Sequence, residues 1–142
     1  MEHIVIAFVL ATSAASGAHS SELLGPTEVA AALDSAGYGQ VRDIEFDSGL
    51  WEAEVRRSYG RWAEVSVHPK TGEIYDLHGK AEVLPMRDVL AALERQGYRG
   101  FRDIDRDAGV WDIDAEDRNG RRVELRVSGY DGRVLHSAPD LD

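Results

Sequence analysis

From Pro26 to about Ser137 the apolar positions follow two periods in turn. Val29, Ala32, Leu33 and Ala36 recur at helical spacing behind Pro26-Thr27-Glu28. Val89, Ala92, Leu93 and Gln96 hold the same places behind Pro85-Met86-Arg87-Asp88. Proline suits the first turn of a helix, where an N–H would have no intrahelical partner, so both segments read as helix starts. Gly37 and Gly97, each followed by a tyrosine, supply the left-handed residue that ends a helix. Beyond each glycine the period falls to two. Trp51, Ala53 and Val55 alternate with Glu52, Glu54 and Arg56, while Trp111, Ile113 and Ala115 alternate with Asp112, Asp114 and Glu116. A third strand puts Ala63, Val65 and Val67 inward, matched by Val123, Leu125 and Val127. Turn residues separate the runs at Asp47-Ser48-Gly49, Tyr59-Gly60, Lys70-Thr71-Gly72, Asn119-Gly120 and Asp131-Gly132. Fourth strands are expected through Glu73–His78 and Arg133–Ser137.

The two halves are one unit written twice. Residues 29–75 align without a gap on residues 89–135, and 17 of the 47 positions are identical at an offset of 60. The identities are mainly turn glycines and core apolar residues. The fold class is therefore α+β: two tandem repeats, each a helix packed on an antiparallel three- to four-stranded β-meander. A single unit of about 60 residues would be marginal in stability. The two are expected to pack together, through their helices or by edge pairing of the fourth strands, with residues 77–84 as the connection.

The order of motifs resembles the PepSY family, small α+β domains of exported bacterial proteins. The first copy reads GYGQVRDIEFDSGLWEAEVRRSYGRWAEVSVHPKTGEIYD and the second GYRGFRDIDRDAGVWDIDAEDRNGRRVELRVSGYDGRVL. The resemblance covers Pro26 to about Ser137. It implies a non-enzymatic, peptidase inhibitor-like module, by analogy with propeptides that bind and restrain a protease, and it carries over no catalytic residues.

Ahead of the repeats, the apolar run Ile4–Ala11 leads into small residues ending at Ala18, the order of a signal peptide with cleavage after Ala18. The organisation expected is thus a signal peptide at 1–18, a flexible N-terminus at 19–25, PepSY-like repeats at 26–78 and 84–137, and a C-terminal tail at 138–142. A periplasmic or secreted protein follows, with no membrane attachment after cleavage. The chain has no cysteine, which excludes disulfides, zinc–thiolate sites and cysteine nucleophiles. Stability must then come from the core, or from the core plus a bound metal.

Charge narrows the partners. Twenty-six acids against sixteen bases give a net charge of −10, which argues against nucleic acid. Seven of the acids lie between Asp103 and Asp117, opposed there only by Arg106. The run Asp103-Ile-Asp105-Arg-Asp107-Ala-Gly109 approaches a calcium loop, but its glycine comes one residue late and its flanks read as strand, so an EF-hand is rejected. As a hairpin, Asp103, Asp105 and Asp107 would share a face with Asp112 and Asp114. The first copy offers Asp43, Glu45, Asp47, Glu52 and Glu54 in the same layout. Such faces suit a hard cation, Ca²⁺ or a lanthanide, or else neutralisation by Arg102, Arg122 and Arg126 and, in the first copy, Arg42, Arg56 and Arg61.

No nucleophile elbow, zincin motif, phosphate loop or dinucleotide fingerprint occurs. His68, His78 and His136 are spaced unlike metal ligands and read as surface residues near strand ends. A catalytic carboxylate pair needs burial that a solvated sheet face does not supply, so no enzyme is expected. Trp51 and Trp111 belong to the cores. Trp62 lies on the outward face where the second copy has Arg122; with Tyr59 it marks a contact for a protease or peptide in the bacterial envelope, or packs against the other repeat.

Overall fold

A computed structural model describes residues 22–142. The expected signal peptide lies outside them. The first unit comprises α1 (Pro26–Ser35), β1 (Val41–Asp47), β2 (Leu50–Arg56), β3 (Trp62–Val67) and the short β4 (Ile74–Tyr75). The second comprises α2 (Met86–Arg95), β5 (Arg99–Asp107), β6 (Val110–Glu116), β7 (Arg122–Ser128) and β8 (Val134–Pro139). Each forms its own four-stranded antiparallel meander, in the order β1-β2-β3-β4 and β5-β6-β7-β8. The fourth strand of the first unit is shorter than its sequence suggests, because the chain leaves the sheet at Asp76.

The helices end as the glycines require. Gly37 (φ 92°) and Gly97 (φ 96°) adopt the left-handed conformation. The amides of Tyr38 and Tyr98 then bond back to the carbonyls of Leu33 and Leu93, each at 3.1 Å. One side of each sheet packs on its own helix. Val29 and Leu33 meet Ala53, Val55, Val65 and Val67 in one core, and Val89 and Leu93 meet Trp111, Ile113, Leu125 and Val127 in the other. Trp51 is partly buried against the first core, where its indole donates to the Leu24 carbonyl at 2.9 Å.

The units join by neither of the expected routes. Among the described residues, no strand of one sheet pairs with the other, and each helix stays within its own core. A third apolar cluster of Leu50, Tyr75 and Val110, flanked by Tyr130 and Leu135, ties them together. Leu50 and Val110 share a strand face with Glu52 and Asp112, the side turned away from the helices. The sheets thus meet through their outer faces at the hairpin ends. Burying each of these large side chains contributes about 1.5–3 kcal/mol.

Both first hairpins carry a bulge at the same place. The registers shift between Arg42 and Glu45 and between Arg102 and Asp105, where Asp43 (φ 52°) and Asp103 (φ 43°) take the left-handed conformation. Strict alternation is lost there. Arg102 faces Asp114 and Asp105 faces Asp112, so Asp103, Asp105 and Asp107 do not form the simple row expected from period two.

Candidate functional site

The outer faces enclose an acidic cleft of about 570 Å³ between the units. Asp103, Asp107, Asp112 and Asp114 line it from the second unit, and Asp47 and Glu52 from the first. The two hairpins therefore supply one shared cleft, not two equivalent faces. Asp105 lies across the strand from Asp112 but outside the lining, and Glu45 stands opposite Glu52. Asp43 and Glu54 are drawn off to Arg42, whose Nε lies 3.4 and 2.6 Å from their carboxylates.

Arg126 holds the cleft together. It is 6% exposed, and its guanidinium reaches Glu52 of the first unit at 2.9 Å and Asp112 of its own at 3.0 Å. Asp107 lies 3.9 Å away, and Nη1 also donates to the Asp47 carbonyl at 3.1 Å. The offset of 60 explains why one arginine serves both units. Asp112 pairs across the strand with Arg126, whereas its counterpart Glu52 pairs with Ser66, the residue aligned with Arg126. Ser66 cannot neutralise a carboxylate, so the charge comes from the other copy.

The acids still exceed the base. Carboxylates of Glu52, Glu64 and Asp107 have oxygens within 4.8 Å of one another. Partial burial, followed by a hydrogen bond with Asp107, pushes Glu64 up to about 7. Burial also raises Glu52 and Asp112, against the pull of Arg126. The outer face is thus walled by its neighbour rather than solvated as the sequence suggests. Glu64, on the β3 position opposite Glu54, was absent from the expected acid set.

A second polar cluster anchors the junction. Asp76, 2% exposed, accepts from the Tyr38 hydroxyl at 2.5 Å, the Arg57 guanidinium and the His78 amide. Burial alone would raise this carboxyl; the bonds from Arg57 and Tyr38 more than offset it and hold the group below the usual carboxylate range. Tyr130 of the second unit accepts from the Asp76 amide at 2.7 Å and donates to its carbonyl at 3.0 Å.

The aromatic pair lies on the first unit alone. Tyr59 is 95% exposed at the β2–β3 turn. Trp62 is half-buried beneath the Arg42 guanidinium, 3.9 Å from its ring centroid, and belongs to none of the three apolar clusters. With Arg57, Arg61 and His78 the pair lines a groove of about 510 Å³.

Two helix-capped antiparallel meanders, fused face to face without strand exchange, define a tandem α+β module. Residues 3–78 match the PepSY family described as peptidase propeptide and YPEB domain, a span of over half the chain that takes in the whole first unit. The chain belongs to the PepSY family. No curated protein and no solved structure matches it. Among the described residues, no helix is long and apolar enough to cross a membrane.

Proposed function

We propose that this protein is an exported, non-catalytic binding module that restrains or senses a peptidase or peptide in the bacterial envelope. Family membership supports the class of role. The Tyr59–Trp62 groove is the observation that carries the contact surface, since an exposed tyrosine beside a tryptophan under arginine is a common anchor for a protein partner. The test is the hydrolysis rate of envelope peptidases with and without the purified protein. A slowed peptidase, released by Trp62→Ala, is the expected result; unchanged rates at molar excess overturn the reading.

A second reading rests on the meeting of Glu52, Glu64 and Asp107. Three carboxylates answered by a single guanidinium, that of Arg126, suit Ca²⁺ or a lanthanide, which would displace the proton on Glu64. Titration with either ion should raise the melting temperature, and Glu64→Gln should abolish the rise. An unchanged melt at about millimolar Ca²⁺, the weak end of protein calcium sites, removes this reading.

A further inference from the structure

The β2–β3 turn of the first unit carries chemistry that its fold does not require. The matching β6–β7 turn has the same geometry: Gly60 and Gly120 both have φ 75°, and the Arg57 and Asp117 amides bond to the Arg61 and Arg121 carbonyls at 2.7 and 2.9 Å. Yet the second turn reads Glu116-Asp-Arg-Asn-Gly-Arg-Arg122, three arginines with two acids and no aromatic, while the first reads Arg56-Arg-Ser-Tyr-Gly-Arg-Trp62, three arginines with two aromatics and no acid. The aromatic residues are therefore additions to a turn that closes without them, and this turn carries no acid of its own to answer its arginines.

The groove also extends. A neighbouring cavity of about 520 Å³ shares Arg57 and His78 with it and adds Lys80 and Tyr38. Arg57 is neutralised by Asp76, and Arg42 by Asp43 and Glu54. Arg61 and Lys80 have no ion-pair partner among the described residues and give this surface unspent positive charge in a chain of net charge −10. We infer that the groove binds an acidic peptide segment, its carboxylates against Arg61 and Lys80 and its apolar side chains against Trp62 and Tyr59. This rests on the reading of the Tyr59–Trp62 surface as a partner contact and names the partner's chemistry.

The test is fluorescence anisotropy with three labelled peptides of equal length, rich in Glu and Asp, in Gln and Asn, or in Lys. The acidic peptide should bind at least about tenfold tighter than the neutral one and weaken as salt shortens the screening length. Arg61→Glu should weaken it at least about tenfold by reversing a charge at the contact, and Trp62→Leu should also weaken it. Both variants should melt close to the parent, which excludes misfolding as the cause. Equal binding of all three peptides, preference for the Lys-rich one, or indifference to Arg61→Glu overturns the inference. So does light scattering that shows self-association lost in Arg61→Glu without acidic-peptide binding, because the occupant is then a second copy. Peptidase restraint that persists without acidic-peptide binding sinks this inference alone; loss of restraint as well sinks the reading beneath it.

Discussion

Replacing Arg126 by methionine keeps much of the side-chain volume and removes a buried cation shared by both units. Breaking a buried pair from one side typically costs about 3–5 kcal/mol, because the remaining charge is stranded. Here Asp112 and Asp107 have side chains 42% and 47% exposed and can recover water, whereas Glu52 at 13% cannot. The loss should therefore sit near the lower end, about 3 kcal/mol. For a chain of this size that corresponds to a fall of roughly 10–15 °C in melting temperature. The deficit should also depend on pH. Without the guanidinium, burial raises Glu52 and Asp112 further, so the folded state holds protons that the unfolded chain releases. A carboxyl raised on folding gives stability that grows as pH falls. Melts followed by circular dichroism at pH 7.5 and 5 should show the gap narrowing at the lower pH, and adding Glu52→Gln should restore part of the loss at pH 7.5. A variant that melts within about 3 °C of the parent at pH 7.5, a shift worth under 1 kcal/mol, refutes the account. A deficit indifferent to pH does so as well.

Other outcomes follow from the same junction. Glu64 rises from 4.5 to about 7 on folding, so stability should decline as pH climbs through that window and level off above it; urea melts of Glu64→Gln should lack this component. A Cβ on Gly109 would lie 2.5 Å from the Asp76 amide nitrogen and 2.6 Å from the Tyr75 carbonyl carbon. Gly109→Ala should consequently cost about 1–3 kcal/mol by overpacking, measured by urea denaturation, while Gly39→Ala, which meets nothing within 4 Å, should be near neutral. Tyr130→Phe removes both bonds to the Asp76 backbone and should cost about 1–3 kcal/mol, with faster amide exchange at Asp76.

The repeat, both helices, the strand faces and the glycine stops were legible because each follows from a local period or a backbone requirement. The bulges were not. Asp43 and Asp103 break alternation through a left-handed φ at a residue that is not glycine, and nothing in Arg-Asp-Ile marks that. The junction was hidden for a different reason: identities between copies report the shared fold, while the ion pair that joins the copies falls where they differ. Ser66 against Arg126 was the available signal, a neutral and a charged residue at one strand position on the face turned away from the helices. Asp76 and Tyr130 align with His136 and Lys70, so their bond too left no trace in the repeat.

The Ser66–Arg126 difference makes the two copies dependent on each other. The first lacks the base that its own Glu52 requires, and the second carries an arginine whose valence exceeds its own cross-strand need. A chain cut to its first half would hold an unanswered carboxylate beside an uncovered Leu50 and Tyr75. Duplication has thus become division of labour: neither half can be discarded or exchanged for the other, although both still fold to the same plan.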